Sequence, residues 1–268
     1  GARRRPGPGG VPAAVLPGLA IELCRRGLSG ILAGTSLAMK TRINGLGRLW
    51  VCGGMILWGA VSCSTPAGRP TGLELFNGKD LADWKSVLAD PAVPMDQVWS
   101  VQDGILTCQG TPLGFLYREP AAGNFRLAVE YRWPPGHTPG NSGIFTRLNA
   151  PFSPLPCAVE VQLKYGNAGD VFGLQGKPIA RGQPRFFEIR QHPEGGDIAG
   201  ISKLLEAENP PGEWNRVEIL ARGERYRVWL NGKLVNDVSG VHPGAGLIGL
   251  QSEGGVIQFR RVTLQPLD

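Results

Sequence analysis

The side chains best suited to acid–base chemistry in this chain sit in short alternating segments. Glu160, Gln162 and Lys164 interleave with Val159, Val161 and Leu163; Glu130 stands between Val129 and Tyr131; Arg147 follows Ile144 and Thr146. If the apolar partners face a core, the polar set projects from the opposite face. On neighbouring strands, these segments would gather two carboxylates, a guanidinium and an amide on one surface. A carboxylate there can take or give a proton, a guanidinium can hold developing negative charge, and the Gln162 amide can both donate to and accept from hydroxyls. Alternation of this kind is also what an ordinary solvated antiparallel sheet shows, with Glu and Arg pairing across strands for a fraction of a kcal/mol.

Three further residues belong to the candidate set. His137 lies in the Pro/Gly-rich run Pro134–Gly140, the sort of loop that rims binding sites, and Asn141 follows directly. Asp170 is an acid close in sequence to Lys164. His192 and His242 have weaker cases. The Ser residues lack a nucleophile elbow, no dinucleotide fingerprint appears, and no His/Cys cluster stands at zinc-ligand spacing. Asp170 and Glu188 could hold a Ca²⁺, but no loop with spaced oxygen ligands is evident, so no cofactor is expected.

The elements that would position these residues are strands. Phe125–Arg132 alternates over eight residues, and Tyr226, Val228 and Leu230 alternate before an Asn231-Gly232 hairpin signal and a partner at Lys233–Val238. Further strands are expected at 105–109, 115–118, 144–148, 159–164, 186–190, 217–221, 247–251 and 256–264, with one helical turn at 201–208. Forty Gly and 23 Pro in 268 residues also argue for many turns and few long helices. About a dozen strands in about 200 residues point to an all-β sandwich or jelly roll. Trp84, Trp99 and Trp229 read as core, and Trp214 as a plug at a strand start.

The net charge of +6 does not mark a nucleic-acid binder. Residues 1–62 hold eight Lys/Arg against the single acid Glu22, while residues 63–268 hold 20 basic and 21 acidic side chains. The excess is confined to the N-terminal quarter. From Met39, a positive segment (Lys40, Arg42, Arg48) precedes 14 mostly apolar residues, Leu49–Ser62, too short to span a membrane. This is the layout of a secretory signal peptide. The Ala60-Val61-Ser62-Cys63 end resembles a lipobox, with Cys63 as the lipidated residue. The expected organisation is an upstream or mis-started segment at 1–38, a lipoprotein-type signal peptide at 39–62, a linker at 63–71 and one domain at 72–268. The chain is then exported, periplasmic or at the cell surface, and touches the membrane only through its lipid. In such a compartment Cys108 and Cys157 can pair, although spacing alone does not show that they meet.

A series of motifs carries a family resemblance over roughly residues 72–266. In order they are Leu75–Leu81 with Trp84, Trp99–Leu106, Asn124–Leu127 running into Glu130–Arg132, Gly140–Arg147, Val159–Gln162, Pro211–Asn215 and Trp229–Gly232. The series resembles the 3-keto-disaccharide (3-keto-glucoside) hydrolase family. The resemblance implies a concanavalin A-like jelly-roll sandwich of two antiparallel sheets. It also implies a carbohydrate substrate already oxidised at C3 by a separate oxidoreductase upstream. Residues 167–209 match least.

A ketone at C3 acidifies the C2 proton, so one base can start cleavage by elimination, and water then adds for net hydrolysis. On this reading Glu160 is the base and Arg147 or Lys164 stands near the enolate oxygen. Gln162, Asn141 and Glu130 position hydroxyls, and His137 or Asp170 protonates the leaving group. The Glu-x-Asp-x-x-Glu strand signature of retaining glucanases is absent, and a two-carboxylate glucanase would need a second acid opposite Glu160. A non-catalytic carbohydrate-binding module of the same fold is the other alternative.

Overall fold

The computed structural model describes residues 72–268. The expected signal peptide, Cys63 and the segments flanking them lie outside these residues. Sixteen strands and one short helical turn follow one another. They are β1 (Leu73–Glu74), β2 (Lys85–Leu88), α1 (Met95–Val98), β3 (Trp99–Gln102), β4 (Ile105–Cys108), β5 (Gly114–Ala122), β6 (Phe125–Arg132), β7 (Gly143–Asn149), β8 (Cys157–Gln162) and β9 (Val171–Gly173). They continue with β10 (Phe186–His192), β11 (Gly196–Ile201), β12 (Asn215–Arg222), β13 (Arg225–Leu230), β14 (Lys233–Val238), β15 (Gly246–Ser252) and β16 (Ile257–Pro266).

The strands form two antiparallel sheets of eight. The first runs β14-β13-β12-β6-β16-β4-β3, with β1 on β16; the second runs β10-β11-β9-β8-β7-β15-β5-β2. The architecture is therefore the expected all-β jelly-roll sandwich. Period-two patterning makes it: on β6, Phe125, Leu127, Val129 and Tyr131 are fully buried while Arg126 and Glu130 point away. The main core between the sheets takes Leu127, Val129, Tyr131, Val217 and Ile219 from the first sheet and Ile144, Val159, Val161 and Leu250 from the second. A second, smaller core covers the outer face of the second sheet, built from Phe115, Phe145, Leu148, Leu155, Ala158, Leu174 and Ile198. That extra layer buries a face that would otherwise be solvated, and it is where the candidate site lies.

Four expectations are corrected. Trp229 is only part-buried, on the face of β13 opposite the core residues Val228 and Leu230. Residues 201–208 form no helix; they leave β11 and run on without regular structure. Trp214 is not a plug: it is only part-buried, and the guanidinium groups of Arg132 and Arg260 lie against its ring, 4.6 and 4.4 Å from its centroid. Cys108 and Cys157 are free thiols on different sheets, and burial pushes the Cys108 thiol up to about 12.

Candidate active site

Alternation sends Glu160 where the sequence pattern expects. Val159 and Val161 enter the main core, while Ala158, Glu160 and Gln162 turn to the outer face of the second sheet. Across β7, Gly143 pairs with Gln162 and Phe145 with Glu160; one strand further, Leu250 pairs with Ile144, which sets Gln251 beside Gly143. Gly143 is therefore flanked by Gln162 on one side and Gln251 on the other, with Glu160 at its diagonal.

The absence of a side chain at Gly143 shapes the site. A Cβ there would collide with Glu160 Oε1 and stand 2.9 Å from Gln251 Oε1. Glu160 is 2% exposed and Gln251 fully buried. Yet Glu160 Oε1 and both polar atoms of the Gln251 carboxamide have no hydrogen-bond partner, and neither does Asn141 Oδ1 nearby. Buried polar atoms are nearly always paired, so a set of them converging over one glycine marks a place where a polar ligand would complete the bonding.

Two chain segments hold the rim. Asn141 N–H donates to the Gly254 carbonyl at 2.7 Å, and Ser142 Oγ donates to the Gln251 carbonyl at 2.8 Å. A Cβ on Gly140 would strike the Gly254 carbonyl, so only glycine lets these backbones meet. The contact ties down the Ser252–Gly255 turn and with it Glu253, whose charge acts on Glu160.

Glu253 is the functional candidate that sequence reasoning missed. Burial raises its pKa to about 7; Glu194 pushes in the same direction, and Gln251 and Lys164 pull it back. Gln251 lies close enough to act on Glu253 without meeting hydrogen-bond geometry. Burial also raises Glu160 well above the carboxylate range, helped by the charges of Glu253 and then Asp170. Burial and a neighbouring like charge thus favour the protonated form of Glu160, while Glu253, at about 7, changes charge near neutral pH. Lys164 is the nearby cation, its pKa lowered by burial and partly restored by Glu253.

The remaining expected residues divide clearly. Gln162 belongs to the site wall, but its Oε1 is occupied by the N–H groups of Leu163 and Lys164 at 3.0 and 2.9 Å, so it shapes the turn carrying Lys164. Asp170 joins the same neighbourhood. It is buried, accepts from Lys203 N–H at 2.7 Å, and its pKa is raised by burial against that bond. His137 is exposed on the loop before Asn141, its Nδ1 3.2 Å from the Pro135 carbonyl.

Arg147 and Glu130 lie elsewhere. Arg147 adopts φ +50°, and the β7–β8 pairing slips between Thr146 and Asn149. That irregularity breaks the alternation and swings the guanidinium against the Tyr226 ring, 4.8 Å from its centroid. There it donates to the carbonyls of His242, Gly123 and Gly223. Glu130 belongs to the other sheet, on the outer side of β6, bound to Arg216 at 3.1 Å and Arg260 at 2.6 Å. The main core separates it from Glu160. Among the described residues, no group of three or more His, Cys, Asp or Glu stands where it could hold a metal ion.

Fold and site together define a carbohydrate-active domain of the glycoside-hydrolase type. The chain belongs to the family described as the 3-keto-alpha-glucoside-1,2-lyase-like domain, whose model matches residues 73–265. Among solved structures it is similar to a Parabacteroides distasonis protein named as a "putative glycosyl hydrolase". That match has a TM-score of 0.51 and 22% identity, and it covers 72% of this chain and 93% of that one. A second P. distasonis protein of the same description has a TM-score of 0.45 at 23% identity, covering 69% and 99%. A Bacillus subtilis carbohydrate-binding module, CBM66, has a TM-score of 0.49 at 14% identity, covering 69% and 97%. No curated protein matches the chain.

Proposed function

We propose that this protein cleaves the glycosidic bond of 3-keto-glycosides by elimination and hydration. The observation that carries this reading is the meeting of the unpartnered Glu160 Oε1 and Gln251 Oε1 over Gly143, with Glu253 near enough for its charge to raise the Glu160 pKa. Burial keeps Glu160, the more deeply buried acid, protonated. Glu253, with a pKa of about 7, is then the base. It removes the C2 proton, and the C–H electrons pass into the enolate of the C3 ketone. Lys164 balances that charge. Return of the electrons forms a C1=C2 double bond and expels the C1 oxygen, which takes the proton of Glu160. Water then adds at C1, C2 regains a proton, and the product is the free 3-keto sugar.

This assignment exchanges the role expected for Glu160, from base to acid, and the leaving group tests it. Glu160→Gln should lose about a hundredfold in turnover with an alkoxide leaving group and recover most of it with an activated phenol, which departs unprotonated. Glu253→Gln should lose activity with both. The opposite pattern would exchange the roles back. Equal loss with both leaving groups in both variants would remove the acid assignment. Substrate arrives from a separate C3-oxidoreductase, and the chain is exported and anchored through Cys63. Palmitate labelling lost in Cys63→Ala tests the anchor.

A two-carboxylate glucanase is the second reading, favoured by the same finding: Glu253 is the acid that reading requires near Glu160. Cleavage of an unoxidised glucoside would select it.

A further inference from the structure

The outer face of the first sheet, across the main core from Glu160, is rich in arginine. Three adjacent strands carry it: β12 presents Arg216 and Arg222, β6 presents Arg126 and Arg132, and β16 presents Arg260 and Arg261. On β16 the register slips between Phe259 and Arg261, which lets two consecutive side chains leave on the same side. These six guanidinium groups meet two carboxylates on the same strands, Glu130 and Glu218, and a third, Glu74, on β1. Yet residues 63–268 as a whole hold 20 basic and 21 acidic side chains. Positive charge is therefore gathered on one face of a segment that has no positive excess.

Arg126, Arg216, Arg260 and Arg261 are each about half exposed, and ion pairs at such positions are weak. Their guanidinium groups can exchange a carboxylate for an incoming anion with little loss. Among them, the small side chains of Ala128 and Thr263 leave a cavity of about 80 Å³ ringed by Arg126, Arg216 and Arg261. Three guanidinium forks around one hollow suit a phosphate, whose oxygens accept paired hydrogen bonds. Two indoles share the face. Trp214 lies against Arg132 and Arg260, and Trp229 leaves β13 beside Glu218; both are part-buried. An indole, apolar in body with one N–H, is suited to the headgroup layer of a bilayer.

We infer that this face docks on an anionic lipid surface, with a lipid phosphate in the arginine-ringed hollow. The choice of a lipid rests on the Cys63 anchor proposed above. The hollow is also lined by Gly72, the first described residue, so the chain enters the domain at this face. Gly72 stands nine residues after Cys63, a stretch that spans at most about 30 Å. A lipidated Cys63 would hold the arginines within that distance of the headgroups. An acyl anchor combined with a basic patch binds more firmly than either alone. The main core lies between this face and Glu160, so docking here turns the Glu160 face away from the membrane.

The test is co-sedimentation with vesicles of a chain starting at Ser64, which carries no acyl anchor. Ser64–Asp268 is a compact unit that contains both sheets and both cores. Wild type, Arg126→Gln/Arg261→Gln and Arg181→Gln/Arg190→Gln are compared on mixed phosphatidylglycerol–phosphatidylcholine vesicles and on phosphatidylcholine alone. The last variant removes the same charge from two exposed arginines outside this face. The expected result is binding to the anionic vesicles only, about thirtyfold weaker in Arg126→Gln/Arg261→Gln and changed less than about twofold in Arg181→Gln/Arg190→Gln. Equal losses in the two variants would reduce the effect to net charge and overturn the inference. So would a lack of binding to anionic vesicles, or equal binding to neutral ones. Binding to soluble polygalacturonate without binding to vesicles would assign the face to an acidic polysaccharide and overturn the lipid. Palmitate labelling judges the anchor separately. Vesicle binding here supports the face even if Cys63 carries no lipid, and its absence overturns the face even if Cys63 does.

Discussion

Glu160 and Gln251 approach each other over a residue with no side chain: the Cβ position of Gly143 lies within collision distance of Glu160 Oε1 and 2.9 Å from Gln251 Oε1. The two side chains come from strands separated by β7, and neither oxygen is hydrogen-bonded. The site is therefore defined by a gap as much as by its acids.

Gly143→Ala tests the gap. The colliding atom is the free end of a flexible side chain, so the fold should absorb the methyl group by turning Glu160 aside. The expected outcome is a melting temperature close to wild type with turnover lowered about a hundredfold, the scale of a small misplacement of a catalytic group. Full activity in a folded Gly143→Ala protein would show that the gap is not used.

Stability should fall as pH rises through the neutral range. The folded pKa of Glu253, about 7, lies above its ordinary 4.5, so the folded state binds this proton more tightly than the unfolded chain does. Its contribution is complete below the ordinary carboxylate value and is lost as pH climbs through about 7, a change of at most ~3 kcal/mol. Glu160, raised further in the same direction, extends the decline upward. Denaturant midpoints across this range should show the slope in the wild type and a shallower one in Glu253→Gln. A wild-type midpoint that climbs with pH would contradict the assignment.

Arg147 and Glu130 should behave as structural residues. Arg147→Ala leaves three carbonyl acceptors without their donor and opens a void against Tyr226, so a loss of about 3 kcal/mol is expected. Glu130→Gln, on the outside of the other sheet, should cost under about 1 kcal/mol. Neither should change KM at temperatures where the protein is folded; steady-state kinetics on both variants checks this.

The contrast between Glu160 and Arg147 shows what alternation can and cannot reveal. Val159, Val161 and Leu163 fix the face of Glu160 because β8 keeps its period, and the same rule locates β6, β12 and β13. One left-handed residue at Arg147 resets the count, and nothing in the local composition announces it. Glu253 escaped notice for a related reason. It follows the last residue of β15 in the Gly-rich turn Ser252–Gly255, where no period exists to assign a face.

The central claim is that a ketone at C3, rather than a glycosidase pair acting alone, makes the bond breakable. Turnover of a 3-keto-glucoside beside its unoxidised parent, by the same purified protein, tests it most directly. Release of the aglycone from the keto form alone, through an enone absorbing in the ultraviolet before hydration, is the predicted result. Cleavage of the unoxidised parent at a comparable rate would contradict it.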